Sequence, residues 1–359
     1  MHINYNFDKN INMKKINIYL LMFMFISIIS IYSASNLYDT IKQIIWYIIG
    51  FIMIHLIRKL KNKTVYKHYI YLYIIGNTLL LLLLLFAEPI NGSKCWFNFF
   101  GISIQPSEFM KIILIITNAV IINKNKKNFK LILKILIITL IPSILTFLEP
   151  DTGMIIIYFV ISFTMLFISN IDSKYFVLIF LVIIFILSIF LSIYLYSEDL
   201  FINIFGTNFF YRIDRLLDWK NGSGMQLDNA LISIGSAHIF GYGFNNTPIY
   251  FPESKTDFIF SIFATNYGFI GITILLVLIV CFDIYLIKVA IKTRYYINKY
   301  LIMGIISMLI YQQIQNISMN IGLLPIIGIT LPFISYGGSS LISYMICIGL
   351  ILNTNKKHF

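Results

Sequence analysis

The feature of this chain that most restricts its fold is the recurrence of apolar runs long enough to cross a lipid bilayer. A membrane-spanning helix needs about 20 predominantly apolar residues. Ten such runs occur, at about residues 16–34, 41–57, 69–87, 106–123, 130–148, 152–169, 174–196, 258–287, 300–321 and 335–353. A segment in lipid must satisfy its own backbone hydrogen bonds, so these runs predict helices. We therefore expect an all-α integral membrane protein, built as a bundle of ten transmembrane helices.

Composition agrees with this fold class and excludes an ordinary soluble domain. Of the 359 residues, 59% are hydrophobic and 12% are charged, whereas soluble domains contain about 25% charged residues. The first apolar run is too long for a signal peptide and lacks a cleavage site of small residues, so we expect it to be retained. The 3 cysteines have no spacing typical of a metal site or a disulfide framework. The sequence also lacks a Walker loop, a dinucleotide fingerprint and the common hydrolase motifs.

The net charge of +12 indicates membrane topology rather than a nucleic-acid partner. One side of the predicted bundle holds 20 of the 27 Lys and Arg residues, in the segments 1–15, 58–68, 124–134, 170–174, 288–299 and 354–359. The positive-inside rule places this side in the cytoplasm. We therefore expect a multi-pass membrane protein with both termini in the cytoplasm, in contact with lipid and not with nucleic acid.

This topology predicts one membrane domain with two short tails. Residues 1–15 and 354–359 form the cytoplasmic tails, and residues 16–353 form the ten-span domain. A long outer loop, at about 197–257, connects spans 7 and 8. Loops longer than about 12–15 residues are usually functional or disordered.

Most of the unusual polar sequence falls on the predicted outer side. It lies in the segments 88–96, 105–108, 149–153, 197–257 and 322–340. The stretch from Leu331 to Gly338 combines a proline with paired glycines. Non-helical backbone at membrane depth is tolerated where it is buried in protein or lines a cavity. We therefore predict a cavity at this face and expect the outer face to be the functional one.

Asp257 is the first candidate for chemistry, because it lies where a polar loop enters the apolar run 258–287. A carboxylate inside a membrane is energetically unfavourable, so it is retained mainly where it faces a polar cavity. A helix N-cap is the alternative explanation, since Asp before a helix is also typical of a cap. Position alone leaves both interpretations open.

Three more charged residues are candidates for the same face. Glu108 and Lys111 are three residues apart at the start of a predicted helix, which places them on one side of that helix, where they can pair. The pair is either a structural ion pair or a direct contact to a ligand. Asp151 lies in a tight turn between two predicted spans, and it is either an N-cap or a functional carboxylate.

Taken together, the motifs resemble the SEDS family of bacterial shape, elongation, division and sporulation proteins. The resemblance covers about residues 16–353 and is carried by motifs in a fixed order, namely Lys94–Trp96, Gln105–Lys111, Glu149–Gly153, Ile234–Ser236, Pro252–Phe258 and Leu331–Ser340. The stretch Gln315–Pro325 is closer to the RodA branch, which serves elongation, than to the FtsW branch. Three positions depart from the family pattern: Cys95 replaces an Arg, Ala237-His238 replaces a Gly pair, and Thr265–Tyr267 replaces an acidic pair.

The resemblance implies a peptidoglycan glycosyltransferase. Such enzymes polymerise lipid II at the outer face of the cytoplasmic membrane, release undecaprenyl pyrophosphate and work with a class B penicillin-binding protein. Asp257 matches the essential Asp of the family and is predicted to be the base that accepts the proton of the acceptor 4-hydroxyl. Glu108 and Lys111 match the paired charges of the central cavity.

The remaining site predictions concern substrate binding. Positive charge is needed near the leaving group, and the candidate cations are Lys94, Arg212, Arg215 and Lys255. The matching motifs add Trp96, Asp151, Ser335, Gly337 and Gly338 to the predicted binding residues. No cofactor is predicted with certainty. A divalent cation with Asp or Glu oxygen ligands is an alternative source of positive charge.

Two other functions compete with polymerisation. The first is transport of a lipid precursor across the membrane, and the second is a non-catalytic scaffold that organises a penicillin-binding protein. A transporter is expected to contain inverted repeats and helices broken at the midplane. The polar residues here gather on one side, and the sequence contains no evident internal repeat, so polymerisation is the favoured hypothesis.

Overall fold

The structure is a computed structural model that describes residues 12–88, 94–99, 102–196, 200–202 and 225–354. Its helices are α1 (Met13–Ala34), α2 (Leu37–Lys59), α3 (Asn62–Lys67), α4 (Tyr69–Phe86), α5 (Pro106–Lys124), α6 (Phe129–Leu148), α7 (Thr152–Ile168), α8 (Ser173–Tyr196), α9 (Met225–Ser236), α10 (Ile259–Lys292), α11 (Tyr296–Asn320) and α12 (Gly338–Asn353). Each predicted apolar run overlaps one of these helices. The helical fold class is thus confirmed for the described residues.

Among the described residues, six helices are long and apolar enough to cross a membrane by length and composition, and they are α1, α2, α4, α5, α6 and α10. The helices α7 and α12 are apolar but shorter. In α11, buried carboxamides such as Gln312 and Asn316 interrupt the apolar sequence. The structure therefore agrees with a multi-pass bundle, while the count of ten spans stays a prediction.

The centre of the bundle is formed by α5. Nearly all of its residues from Pro106 to Ile122 are buried, and it packs against α4, α7 and α11. Elsewhere in the bundle, α12 packs along α2. In contrast, large apolar side chains of α4 and α6, such as Leu85 and Ile137, are exposed on the surface of the bundle. A helix that is buried all round lies in the interior, and exposed apolar faces are suited to contact lipid.

A small hairpin, which the sequence analysis did not predict, lies between α4 and α5. Its strands are β1 (Phe97–Phe99) and β2 (Ile102–Ile104), which pair antiparallel with Phe97 opposite Ile104. The hairpin reaches α12 through Ser339, whose hydroxyl accepts a hydrogen bond from the Gln105 backbone N–H at 3.1 Å. The same hydroxyl donates to the carbonyl oxygen of Ser103 at 3.1 Å. These contacts connect the start of α5 to the start of α12.

Helix α10 is broken at Gly268, where φ is 61° and ψ is −159°. The segment His238–Gly243 lies against this break and satisfies its backbone groups. The Phe269 N–H donates to the His238 carbonyl at 3.0 Å, and the Tyr242 N–H donates to the Thr265 carbonyl at 2.9 Å. A side chain at Gly268 would collide with the backbone of residues 239–241. The break thus depends on glycine, which adopts a positive φ without steric strain.

Candidate active site

A cavity of about 800 Å³ opens at the end of the bundle where α5, α7, α10 and α12 begin. Four carboxylate side chains lie on its wall, and they are Glu108, Asp151, Glu253 and Asp257. Trp96, Gly337 and Gly338 also line it. The structure therefore brings six of the predicted site residues to one cavity, from segments far apart in the chain. These six are Trp96, Glu108, Asp151, Asp257, Gly337 and Gly338.

Asp257 lies in the turn that precedes α10, and its side chain does not cap that helix. The N-cap residue is Phe258, which has no side-chain capping bond. Among the described residues, no group donates a hydrogen bond to the Asp257 carboxylate. Burial, followed by the negative charges of Glu253 and Asp151, raises the pKa of Asp257 to about 7. The capping explanation is therefore wrong for this residue, and its carboxylate is free to accept a proton from a bound molecule.

Hydrogen bonds from two side chains hold the backbone of Asp257 in place, whereas its carboxylate accepts none within the described residues. The side-chain amides of Asn316 and Asn320 both donate to the Asp257 carbonyl oxygen, at 2.8 and 2.9 Å. These residues are four apart on α11, so they lie on the same face of that helix. The Ser335 hydroxyl donates to the Thr256 carbonyl at 2.6 Å. Ser335 thus holds this turn in place and does not line the cavity. It was predicted to bind substrate.

Asp151 has the role of a helix cap. One carboxylate oxygen accepts from the Met154 N–H at 3.2 Å at the start of α7. The other oxygen accepts from the Gln105 side-chain amide at 2.8 Å. The pKa of Asp151 is raised to about 6, mainly by burial, and Glu108 adds to the effect. The capping interpretation is confirmed, although Asp151 also lines the cavity.

Glu108 and Lys111 form the predicted ion pair. Their charged atoms are 2.7 Å apart, and both side chains are buried, with 2% and 0% exposed. The Ser343 hydroxyl donates to the same Glu108 oxygen at 3.0 Å, and the Lys111 ammonium lies 5.2 Å from the centre of the Tyr344 ring. Because Glu108 lines the cavity while Lys111 lies behind it, the pair contributes a neutralised carboxylate to the wall.

A non-helical segment at 321–337 connects α11 to α12 and passes through the site. It contacts the turn of Asp151, since a side chain on Gly153 would lie 2.9 Å from the Ile327 carbonyl oxygen. It also contacts the turn of Asp257, because a side chain on Gly328 would lie 3.7 Å from an Asp257 carboxylate oxygen. The predicted non-helical stretch therefore lines the cavity, and the segment that contains it contacts the turns of both aspartates.

Of the four predicted cations, the two that the structure describes, Lys94 and Lys255, do not line the cavity. The Lys255 ammonium pairs with Asp39 on α2 at 2.7 Å, and the Lys94 ammonium donates to the Leu84 carbonyl at 3.3 Å. Arg212 and Arg215 lie outside the described residues, so their predicted role is untested. Within the part of the chain that the structure describes, Lys42 is the only Lys or Arg on the wall. The sequence analysis missed it, because no local pattern around Lys42 indicates a binding role.

Two further residues were missed as individual site residues. Glu149 is fully buried, and neither of its carboxylate oxygens has a partner among the described residues. Burial and the nearby Asp151 raise the pKa of Glu149 to about 8, so this carboxyl group is mostly neutral at pH 7. Glu253 lies on the cavity wall, and its carboxylate accepts a hydrogen bond from the Thr256 hydroxyl at 2.6 Å. Within the described residues, no group of three or more His, Cys, Asp or Glu side chains is arranged to hold a metal ion.

Comparison with known proteins identifies the family. A family model described as a cell cycle protein, which covers FtsW, RodA and SpoVE, matches residues 11–358. The chain is 32% identical to a probable peptidoglycan glycosyltransferase FtsW from Buchnera aphidicola subsp. Baizongia pistaciae, over 88% of this chain and 83% of the relative. It is 31% identical to a protein of the same name from Hydrogenovibrio crunogenus, over 86% of this chain and 80% of that relative.

Solved structures share the fold. A chain from a peptidoglycan synthase complex that coordinates polymerization and crosslinking superimposes with a TM-score of 0.81 at 22% identity, covering 99% of this chain and 98% of that chain. The rod shape determining protein RodA of Thermus thermophilus superimposes with a TM-score of 0.71 at 22% identity, covering 95% of each chain. The chain belongs to the FtsW/RodA/SpoVE family, which is the SEDS family expected from its motifs. The two relatives are FtsW proteins while one of the structures is a RodA, so the preference for the RodA branch stays a prediction.

Proposed function

We propose that this member of the FtsW/RodA/SpoVE family is a peptidoglycan glycosyltransferase that polymerises lipid II and releases undecaprenyl pyrophosphate. The two FtsW relatives carry that activity in their names. The observation that carries the proposal within this chain is the Asp257 carboxylate. It lies on a cavity wall without a hydrogen-bond donor among the described residues, and its pKa is about 7.

In this proposal Asp257 is the general base. The 4-hydroxyl oxygen of the acceptor sugar attacks C1 of the donor sugar, and Asp257 accepts the hydroxyl proton. The bond between C1 and the pyrophosphate oxygen breaks, and the lipid pyrophosphate leaves with the electron pair. A base is most effective when its pKa is near the working pH. The pKa of about 7 meets this condition, whereas an ordinary Asp is a weaker base.

The remainder of the cavity suits the other partners in this reaction. The first residues of α12, including Gly338 and Ser339, line the cavity, and the N-terminus of a helix favours negative charge. The Glu108–Lys111 pair presents a carboxylate that is already neutralised, so it repels an anionic substrate less than a free carboxylate does. A divalent cation with Asp or Glu oxygen ligands stays an alternative source of positive charge, although within the described residues no group of three or more His, Cys, Asp or Glu side chains is arranged to hold it.

The placement of the cavity in the membrane follows from the charge distribution. We propose ten crossings, both termini in the cytoplasm and the cavity at the outer face, since the lysine-rich connections lie at the opposite end. We also propose that the chain acts with a class B penicillin-binding protein. The support for this partner is the similarity to a chain of a peptidoglycan synthase complex that coordinates polymerization and crosslinking.

The test is polymerisation by the purified protein. The full chain, with its partner penicillin-binding protein in detergent, is incubated with lipid II, and the glycan chains are separated by length. Wild-type protein is expected to form chains, and Asp257→Asn protein from a matched preparation is not. Absence of polymer from wild-type protein with a folded partner and active lipid II would contradict the proposal. It would favour a scaffold or a transporter instead.

A further inference from the structure

We infer that Lys42 binds the diphosphate group of the lipid substrate. The face of α2 that continues from Lys42 towards the C-terminal end of the helix binds the first part of the lipid chain. The inference rests on the proposed function, because that function supplies a lipid diphosphate as both substrate and leaving group. Its support comes from the charges of the cavity wall and from the order of residues along α2.

The first observation is the imbalance of charge on the cavity wall. The four carboxylates Glu108, Asp151, Glu253 and Asp257 line the cavity, and only Glu108 has a cationic partner among the described residues. A diphosphate would be repelled by such a wall unless a cation lay beside it. In the described part of the chain, Lys42 is the one basic side chain that lines the cavity. It is therefore the residue best placed to compensate the charge of a diphosphate.

The second observation separates Lys42 from its neighbour Lys255. The Lys255 ammonium is 2.7 Å from the Asp39 carboxylate, and this ion pair attaches the turn before α10 to the start of α2. Lys42 pairs with no carboxylate in the described residues, and its ammonium lies 4.4 Å from the centre of the Tyr38 ring. An aromatic ring orients a cation but does not neutralise its charge. Asp39 thus occupies one lysine and leaves the other available to a ligand.

The third observation shows which kind of diphosphate fits. Three apolar residues of α2 follow Lys42 on the cavity wall, and they are Ile45, Trp46 and Ile49. Their spacing of three, four and seven residues from Lys42 places them on the same face of the helix. Ile45 is 48% exposed, so this strip is open to a ligand. A cation at the end of an apolar strip matches an amphiphile, with the phosphates at Lys42 and the hydrocarbon chain along the helix.

The geometry therefore favours a lipid diphosphate over free pyrophosphate. The test measures binding to the full-length protein in detergent with three probes: undecaprenyl pyrophosphate, inorganic pyrophosphate and undecaprenol, which has the chain without the phosphates. The variants are Lys42→Met, Lys42→Arg and, as a control, Lys174→Met. Lys174 is exposed, is paired with Asp172 and does not line the cavity.

Lys42→Met is expected to bind undecaprenyl pyrophosphate about tenfold more weakly or worse, since a hydrogen bond to a charged group contributes roughly that factor. Its affinity for undecaprenol should not change. Lys42→Arg should recover most of the lost affinity, and Lys174→Met should match wild type. Inorganic pyrophosphate should bind more weakly than the lipid, because it does not contact the apolar strip.

Two results would overturn the inference. In one, Lys42→Met binds undecaprenyl pyrophosphate as tightly as wild type. In the other, it loses affinity for undecaprenol to the same extent, so that the loss does not depend on the phosphates. Binding requires no turnover, so this test is separate from the polymerisation assay. Lys42-dependent binding without polymer would contradict the proposed function alone, and polymer formation by the wild type without Lys42-dependent binding would contradict the inference alone.

Discussion

Asp151 and Asp257 occupy similar positions in the sequence, each in a turn just before an apolar helix, but the structure gives them different surroundings. Both oxygens of Asp151 accept hydrogen bonds, from the Met154 N–H and the Gln105 amide. The Asp257 oxygens accept none within the described residues, while the Asp257 backbone carbonyl accepts two. One aspartate is thus held by its side chain, and the other is held by its main chain.

This difference explains how a single cavity holds a structural and a reactive carboxylate. Hydrogen bonds to a carboxylate stabilise its charged form and lower its pKa. The bonds to Asp151 act in this direction, and its pKa is about 6 despite its burial. Asp257 has no such bonds within the described residues, and its burial, followed by two carboxylate neighbours, raises its pKa to about 7. Of the two aspartates, the one with fewer hydrogen bonds to its carboxylate is the more available to the substrate.

The largest expected effect comes from exchanging each carboxylate for an amide. Asp257→Asn should lower the rate of glycan polymerisation by about 10²–10⁴-fold, which is the usual loss when a general base is removed. Asp151→Asn should lower it by less than tenfold, because Asn is also a good N-cap and can still accept from the Met154 N–H. Polymer formed per folded molecule is the measurement, with co-purification of the partner as the folding control.

Equal losses in the two variants would remove the distinction between the aspartates. If Asp257→Asn instead forms polymer at nearly the wild-type rate, Asp257 is not the base. Asp151 or Glu108 would then become the leading candidate, since both line the same cavity.

The second effect concerns the ion pair between Glu108 and Lys111. Removing one partner leaves a buried charge without compensation, which costs about 3–5 kcal/mol of stability. Glu108→Ala and Lys111→Ala should each reduce both stability and activity, and the double change should be less damaging than the sum of the two. A double-mutant cycle of thermal unfolding in detergent measures the coupling.

The single changes in this pair should also affect Asp151. Glu108 and Lys111 act on the pKa of Asp151 in opposite directions, so losing Lys111 alone should make Asp151 harder to ionise. Strict additivity of the two single changes would show that Glu108 and Lys111 do not interact.

The third effect is the pH dependence of polymerisation. The active form of Asp257 is the deprotonated one, so the rate should rise about tenfold per pH unit below pH 7 and level off above it. The negative charge of Asp151 contributes to the raised pKa of Asp257. In Asp151→Asn that charge is absent, so the midpoint of the rise should move to lower pH. Rates at saturating lipid II between pH 5.5 and pH 9, roughly the range in which this base titrates, check both statements. A midpoint that moves upward in Asp151→Asn would contradict the assigned coupling.

Sequence reasoning predicted the features of this protein that depend on local pattern. The apolar runs coincide with helices because length and composition determine which segments can be helical in lipid. The Glu108–Lys111 pair follows from helical spacing alone. The non-helical stretch before α12 follows from a proline and paired glycines in an apolar context. In each of these, the relevant partners are close in the chain.

The features that were missed depend on partners far away in the sequence. Asp257 and Asp151 both precede a helix, and only the three-dimensional turn decides which carboxylate reaches a backbone N–H. In the sequence, Asn316 and Asn320 only interrupt an apolar run. The structure shows that their side-chain amides donate to the Asp257 carbonyl oxygen. The ion pair between Lys255 and Asp39 spans 216 residues, so no local pattern indicated that Lys42 would be the unpaired lysine. The strands β1 and β2 have three residues each, too few to show a strand periodicity.

The smallest expected effect concerns stability, and it tests whether the side chain of Asp151 supports the fold while that of Asp257 does not. Asp151→Ala removes the cap of α7 and should lower the free energy of unfolding by about 0.5–2 kcal/mol, whereas Asp151→Asn should lower it by much less. Asp257→Ala should leave the free energy of unfolding nearly unchanged or raise it, because it removes a carboxylate that has only like charges nearby and caps no helix. Thermal unfolding of the three variants in one detergent measures these differences. If Asp257→Ala destabilises the protein as much as Asp151→Ala does, then the Asp257 side chain supports the fold. In that case the absence of hydrogen bonds to the Asp257 carboxylate within the described residues would not identify it as the reactive group. The assignment of the base would then depend on the activity of Asp257→Asn alone.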